Sequence, residues 1–313
     1  ILAAERLDRP TWLFVDHRSS QFDWGAGGLA SSQFWVRIYS SMMYEVDGRI
    51  SEALRFAGDA EEMAETPVLR LFAQCRRAAI LRNAGERFGH ADLVRRMRRE
   101  LDTLDVATLY GDDQLISLSV AEEVAYCGDV VGARALLKRH DAQGPRSAVT
   151  SLANDPRLLG ARSFVDGVVA DAASDRQAAH HHYRQAFQVF KKVGYERRAL
   201  LAALRLGEIT GQTYLLDYVD RTLRKLSDHS PLRERARRHN PLLKDPVVAE
   251  LSHVERTVLD MMCEGKSTAE IADARGRSKQ TIRNTVSRIL TAFEVADRSA
   301  LLRECLRRGI IAG

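Results

Sequence analysis

The chain has few cysteines and none of the long apolar runs typical of membrane proteins. It holds four cysteines among 313 residues, no two of them close in sequence and none in a Cys-x-x-Cys pair. This usage predicts free thiols in a reducing compartment, with a redox switch or a metal site as the alternative. No run approaches the roughly 18 apolar residues that a membrane span needs, and charged residues interrupt the N-terminal segment where a signal peptide would need an apolar core. We therefore expect a cytoplasmic protein with no membrane partner.

Signatures of enzymes and cofactors are also missing. The chain has no Gly-x-x-x-x-Gly-Lys-Ser/Thr loop, which excludes a nucleotide site of that type. No Ser/His/Asp or Cys/His arrangement stands out. His180, His181 and His182 are consecutive, and on a helix they would point about 100° apart, so they cannot chelate one metal. We expect no enzyme, no cofactor and no metal site.

Helix-breaking residues are sparse, with seven prolines and 20 glycines. Between residues 33 and 227, apolar residues recur at spacings of three and four, as at Leu69, Phe72 and Ala73. The breaks are short and carry Gly or Asp, as at Gly128-Asp129. This pattern predicts five antiparallel helix pairs that start near residues 33, 68, 114, 157 and 195. An irregular period near 40 is typical of an all-α solenoid.

Several stretches of this region resemble the tetratricopeptide repeat, loosely and without one clean consensus copy. Examples are VDGRISEALRFAGDA and YCGDVVGARALL. In that pattern a turn precedes a helix with small residues at packing positions, which here would be Ala53, Ala133 and Ala135. The resemblance implies a concave surface that binds a peptide or protein.

The regions on either side of the repeats have a different composition. Residues 1–32 contain Trp12 and Trp24, and glycines interrupt any helix there. We interpret them as an irregular N-terminal cap over the helical stack, with a ligand or partner pocket as the alternative. Residues 228–250 hold three of the seven prolines and a run of arginines, which predicts a linker. Those arginines would either contact DNA phosphates or stay solvated.

Residues 251–313 show the start signals of four helices. Ser252-x-x-Glu255 and Ser267-x-x-Glu270 are capping boxes, and Ser278 and Asp297 are N-cap residues before two further apolar patterns. Two short helices, a tight turn and a longer third helix predict a helix-turn-helix with its recognition helix. The apolar face of the third helix comprises Ile282, Val286, Ile289 and Phe293.

Charge supports a polyanionic partner for this segment. Four of the five net positive charges lie in residues 228–313, which hold 16 Lys and Arg against 12 Asp and Glu. No acidic residue occurs between Ala274 and Phe293. A stretch of one sign on the helix that would enter a DNA groove indicates phosphate contact. Its basic residues are Arg275, Arg277, Lys279, Arg283 and Arg288.

The same segment resembles the LuxR-type helix-turn-helix, which also occurs in GerE and NarL. The resemblance implies a bacterial transcriptional regulator that binds double-stranded DNA as a homodimer and acts on RNA polymerase. MalT-like regulators join a nucleotide-binding domain, helical repeats and this module, and here only the last two are visible. The matching residues are Leu251, Glu255, Val258, Leu259, Gly265, Glu270, Ile271, Ala272, Ser278, Thr281, Ile282, Val286, Ile289, Leu290, Val295, Arg298, Leu301 and Gly309.

Four positions depart from the family pattern. Arg275 stands where a buried Leu is usual, and Arg277 where Ile or Val is usual. Thr285 replaces a common His, and Glu294 replaces a common Gly. Because an unpaired buried guanidinium is costly, we expect both arginines to pack their stems and keep their charged heads in solvent.

The resemblance implies roles for individual residues. In the family, residues matching Arg283, Asn284 and Ser287 point to base edges, and Gln280 lies on the same outward side of the predicted helix. On the fourth helix, Leu302 and Leu306 are left over once one edge packs on the core, and we expect them at a two-fold interface, with packing on the linker or the helical domain of the same chain as the alternative. The expected phosphate contacts are Thr268, Arg277, Lys279, Thr281 and Arg288.

Two functions remain open from the sequence. The first is a sequence-specific transcriptional regulator whose repeat domain (residues 33–227) binds a peptide, protein or small effector and whose residues 251–313 bind DNA. The second is a helical-repeat scaffold whose C-terminal module mediates protein contacts. The acid-free basic stretch favours the first, because a protein-binding surface helix would mix charges.

Overall fold

The computed structural model describes residues 30–106, 109, 113, 115–142, 155–227, 229–240 and 245–310. Within these ranges the regular elements are helices, and no strand occurs. The all-α fold class is therefore confirmed. The predicted N-terminal cap falls outside the described residues except for 30–32, which open the first helix. None of the described helices has the length and apolar character needed to cross a membrane.

Ten of the described helices form five successive pairs between residues 30 and 224. These pairs begin at residues 30, 67, 115, 156 and 196, each within three residues of the predicted start. The five predicted pairs are thus confirmed. They are α1 (Ala30–Val46) with α2 (Ile50–Glu62), α3 (Pro67–Ala84) with α4 (Arg87–Thr103), α5 (Leu115–Tyr126) with α6 (Val130–Ala142), α7 (Pro156–Ala172) with α8 (Arg176–Val193), and α9 (Glu196–Thr210) with α10 (Thr213–Arg224).

Consecutive helices pack against each other, and so do the first helices of successive pairs, α1 with α3, α3 with α5 and α5 with α7. This is the packing of a helical solenoid. Close approach depends on small residues: a Cβ added at Gly167 of α7 would lie 2.7 Å from the Tyr183 ring of α8. Ala53 and Ala133 are fully buried, as predicted. Ala135 is exposed, so its predicted packing role is wrong, because α6 turns Ala133, Leu136 and Leu137 toward its neighbours.

The end of this helical unit lies against its beginning. The Ser227 hydroxyl donates to the Asp47 carbonyl at 3.1 Å. A Cβ on Gly48, whose φ is +79°, would lie 2.2 Å from the His229 carbonyl oxygen. The turn between α1 and α2 therefore tolerates only glycine, because the segment that follows α10 lies directly against it.

Buried ion pairs join the first helices of the unit, in addition to their apolar contacts. Arg76 of α3 forms a buried ion pair with Glu45 of α1, and Arg82 donates to Glu123 of α5 at 3.1 Å. Arg198 of α9 reaches Glu122, 76 residues earlier, at 3.2 Å. Burial opposes ionisation of Glu45, but Arg76 and the Asn83 amide outweigh it, so the pKa of Glu45 is lowered. The first helices are thus joined by paired charges.

The chain divides into two compact units between Glu234 and Arg235. This boundary lies inside the predicted linker, whose described residues include two short helices, α11 (Pro231–His239) and α12 (Pro246–Glu250). The prolines were predicted to break helices, yet Pro231 and Pro246 each begin one. The first helical position needs no backbone N–H donor, so proline is favoured there. The Asp245 carboxylate caps α12 by accepting from the Val247 amide at 2.8 Å.

Candidate nucleic-acid interface

The second unit contains the four predicted helices: α13 (His253–Cys263), α14 (Thr268–Arg275), α15 (Lys279–Ala292) and α16 (Arg298–Arg307). Both predicted capping boxes are present. The Glu255 carboxylate accepts from the Ser252 amide at 2.8 Å, and the Glu270 carboxylate accepts from the Ser267 amide at 2.7 Å. Ser278 and Asp297 cap α15 and α16. Each helix therefore starts at the residue that the sequence indicated.

The core of this unit fixes which side of α15 faces outward. Helix α15 packs on α13 and α14. Of its predicted apolar face, Ile282, Ile289 and Phe293 are buried and Val286 is half-buried. Because helical side chains at these spacings share one face, the opposite face of α15 is turned to solvent.

The residues expected to read bases lie on that exposed face. Gln280, Arg283, Asn284 and Ser287 are all exposed. The Gln280 amide donates to the Asn284 Oδ1 at 3.0 Å, which restrains both side chains without burying either. Helix α15 itself carries no acidic side chain that could pair with Arg283 in place of a base.

The residues expected to contact phosphates lie at the helix starts and along α15. Arg277, Lys279 and Thr281 are exposed, and Thr268 at the start of α14 is half-buried. The Thr281 hydroxyl lies 2.8 Å from the Ser278 hydroxyl and so takes part in the cap. Arg288 is exposed, but its Nε lies 3.3 Å from the Glu255 carboxylate. A phosphate would therefore compete with Glu255 for Arg288.

The departures from the family pattern are accommodated locally. Arg275 is half-buried and Arg277 exposed, so neither guanidinium is enclosed. Thr285 is buried, and its hydroxyl donates to the Thr281 carbonyl at 3.0 Å. Glu294, in place of the common Gly, adopts φ +55°, the left-handed conformation that favours glycine.

Replacing Glu294 with glycine is expected to stabilise the second unit by about 1 kcal/mol, because it relieves the left-handed strain after α15. Glu294→Ala is the matched control, since it removes the same charge but keeps the Cβ. Hydrogen exchange resolved to peptides from α15 measures both variants in the full chain. Equal stability of the glycine and alanine variants would argue against strain at this position.

Two arginines connect separate helices of this unit. Sequence patterns did not single them out for this role. Arg298, at the start of α16, donates to the Met262 carbonyl at 3.0 Å and also to the Lys266 carbonyl. Arg308 lies 3.2 Å from the Asp245 carboxylate. Arg298 was one of the family matches, but its partners are backbone carbonyls of another helix end, which no sequence pattern shows.

On α16, the two expected interface residues differ from their neighbours in exposure. Leu301 and Cys305 are buried in the core. Leu302 is half-buried, and Leu306 is 45% exposed. The outward edge of α16 is therefore apolar at its end.

Comparison with known proteins assigns part of the chain to a family. Residues 249–305 match the GerE family, described as bacterial regulatory proteins of the luxR family. No curated protein matches the chain, and neither does any solved structure. The chain thus contains a LuxR-family helix-turn-helix domain, which supports a DNA-binding transcriptional regulator. The match does not reach the helical unit, so the resemblances to tetratricopeptide repeats and to MalT-like regulators stay predictions.

Proposed function

We propose that this protein is a sequence-specific transcriptional regulator that inserts α15 into the major groove of double-stranded DNA. The observation that carries the proposal is the outward face of α15, which lacks acidic residues and exposes its polar and basic side chains. In this proposal Arg283, Asn284, Ser287 and Gln280 read base edges. The side chains at the helix starts, with Arg288, hold phosphates and set the register.

The proposed base-reading residues can form the hydrogen bonds that distinguish one base from another. An exposed arginine can donate two hydrogen bonds to guanine O6 and N7, and an asparagine can pair in the same bidentate way with adenine. The Asn284 Oδ1 already accepts from Gln280, but a carbonyl oxygen has a second lone pair. Arg283 and Asn284 can therefore contact neighbouring bases from one helix face.

Replacing Arg283 with alanine is expected to cost about 1–3 kcal/mol on the preferred site and to relax base preference at one position. Lys279→Ala, at the exposed start of the same helix, is the control. It should weaken all duplexes alike and lower the dependence of affinity on salt, because it removes a phosphate contact. The preferred site is first selected from random duplexes with the full chain. Fluorescence anisotropy at several salt concentrations then compares the variants.

Two outcomes would count against this assignment. Unchanged affinity and preference in Arg283→Ala would place the base-reading helix elsewhere. Failure of the full chain to enrich any duplex would instead favour the scaffold function, in which the C-terminal module contacts protein.

For the first unit we propose an effector-binding role, with a peptide, protein or small molecule as the effector. Its inner layer is occupied by its own ion pairs, so binding would use outer grooves. One of about 480 Å³ lies between α2 and α3 and is lined by acidic and basic side chains, among them Glu61, Arg70 and Arg77. These side chains form ion pairs that are more exposed than those of the inner layer, Arg77 with Glu61 and Arg70 with Glu100, so a charged peptide segment can compete for them. Cytoplasmic location and action on RNA polymerase belong to the same proposal.

A further inference from the structure

A cysteine, a histidine and a glutamate line up where α4 meets the end of α5. Cys127 directly follows α5 and is exposed. Its Sγ lies 3.7 Å from His90 Nδ1. The other ring nitrogen of His90, Nε2, lies 2.8 Å from the Glu123 carboxylate. His90 and Glu123 are buried. The exposed sulfur is therefore the solvent-side end of a row of side-chain contacts that continues inward through His90 to Glu123.

The Glu123 carboxylate fixes the tautomer of His90. Burial raises the pKa of Glu123, but Arg82 and His90 outweigh burial and the pKa is lowered. Arg82 donates to both Glu123 oxygens at 3.1 Å and stacks on the Tyr126 ring at 3.7 Å. An ionised carboxylate only accepts hydrogen bonds, so His90 Nε2 must carry a proton. His90 Nδ1 is then the atom that exchanges a proton with sulfur.

His90 is charged near neutral pH. Burial opposes the charge, but the hydrogen bonds with Cys127 and Glu123 and the charge of Glu123 raise the pKa of His90 to about 9. The other charged groups around the site are Glu122 on α5, within 3.7 Å of Arg82, and Asp129, which is paired with Arg98 of α4. The nearest acids are therefore paired with arginines, and the charge that faces the sulfur is the imidazolium.

We propose that Cys127 is a modification site that reacts with hydroperoxides. The sulfur attacks the terminal peroxide oxygen once its proton has passed to His90 Nδ1, 3.7 Å away. An S–O bond forms and the O–O bond breaks, so sulfur is oxidised to a sulfenic acid and the peroxide is reduced to an alcohol or water. The leaving oxygen takes the Nδ1 proton of His90, which becomes neutral. This is the arrangement expected of a redox-responsive cysteine.

A purely structural role explains these contacts less well. Glu123 is already neutralised by Arg82, so it does not need His90 as a second cation. Among the described residues no group of His, Cys, Asp or Glu has the arrangement of a metal site. The other cysteines lack this access, since Cys75 and Cys305 are buried and Cys263 is only half-buried. The proposal does not depend on DNA binding.

Iodoacetamide alkylation of the full chain, resolved by mass spectrometry of the cysteine peptides, tests the proposal. At about pH 5.5 we expect folded Cys127 to react at least about tenfold faster than the same cysteine in urea, where His90 is no longer adjacent. His90→Gln keeps an N–H donor for Glu123 but removes the imidazolium, and it should lose this acceleration. One equivalent of hydrogen peroxide followed by dimedone should label Cys127 ahead of the other three cysteines.

Three results would overturn the proposal. They are equal alkylation rates for folded and unfolded Cys127, an acceleration that survives in a folded His90→Gln variant, and dimedone labelling that falls on another cysteine. The comparison of folded and unfolded wild-type chain needs no variant, so it decides the matter even where His90→Gln does not fold.

Discussion

Replacing Arg76 with methionine is expected to lower the free energy of unfolding of the helical unit by about 3–5 kcal/mol. Arg76 and Glu45 retain only 5% and 4% of their side-chain exposure. The Arg76 Nε donates to the Ser41 hydroxyl at 2.9 Å, and its Nη2 to the Ser41 carbonyl at 3.2 Å and to the Glu45 carboxylate. Removing the guanidinium leaves the Glu45 carboxylate buried, with the Asn83 amide still 2.6 Å away.

The control for this prediction is an exposed pair at the start of α2. Arg49 and Glu52 lie 2.7 Å apart with 52% and 35% side-chain exposure. Arg49→Met should cost less than about 1 kcal/mol, because solvent screens exposed ion pairs. The double variant Arg76→Met/Glu45→Gln should recover much of the loss, since neither charge then remains buried alone.

The loss in Arg76→Met should also depend on pH. With Arg76 present, the pKa of Glu45 is lowered, so its stabilisation is present above the unfolded pKa and is lost as pH falls. Without Arg76, burial is opposed only by the Asn83 amide and the charge of Arg197, so the pKa of Glu45 should be higher than in the wild type. The ionised carboxylate then stabilises the fold less, and the variant should be less impaired near pH 5 than at pH 7.

Peptide-resolved hydrogen exchange of the full chain measures these variants, because it reports the helical unit separately from the second unit. Arg76→Met with the same protection as wild type at both pH values would show that the inner ion pair contributes nothing to stability. A loss equal to that of Arg49→Met would lead to the same conclusion.

Local signals explain how much of the fold could be predicted. The Gly128-Asp129 break acts within a few residues of itself, since Gly128 adopts φ +85° and the Asp129 carboxylate accepts from the Gly132 amide at 2.8 Å, so the start of the next helix could be predicted closely. Contacts between distant residues could not be predicted in this way. Arg76 and Glu45 are 31 positions apart, and Cys127 and His90 are 37 apart, so their pairing becomes visible only once the helices are packed.

The same distinction applies to the second unit. The apolar spacing of α15 predicts which of its residues are exposed, because it reflects one helical period. That Arg288 lies against Glu255 of α13 could not be predicted, since it depends on how α13 and α15 cross. Glu294 adopts a left-handed conformation. The sequence indicates this only indirectly, because the family usually has glycine at that position.

Replacing Leu306 with glutamate is expected to convert a DNA-bound dimer into monomers and to weaken binding of a two-half-site duplex by about 100-fold or more. We propose that α16 pairs with its twin through Leu302 and Leu306, because this edge is apolar while Leu301 and Cys305 face the core. A two-fold pair matches a palindromic site. Loss of the pair removes the gain in effective concentration that comes from binding two half-sites together.

Val254→Glu is the matched control for Leu306→Glu. Val254 lies on α13 of the same unit and is 46% exposed, against 45% for Leu306. Both substitutions place one negative charge on an equally exposed apolar residue, so general repulsion of DNA affects both alike. Only Leu306→Glu should lose full-site binding while it keeps weak binding of a half-site.

Sedimentation of the full chain with duplexes of one and two half-sites measures stoichiometry, and circular dichroism checks that each variant is folded. Wild type should bind the full site as two copies, and Leu306→Glu as separate monomers of low affinity. A folded Leu306→Glu variant that binds two copies with unchanged cooperativity would place the dimer contact elsewhere. Equal losses in Leu306→Glu and Val254→Glu would mean that charge near DNA, rather than a broken interface, weakens binding.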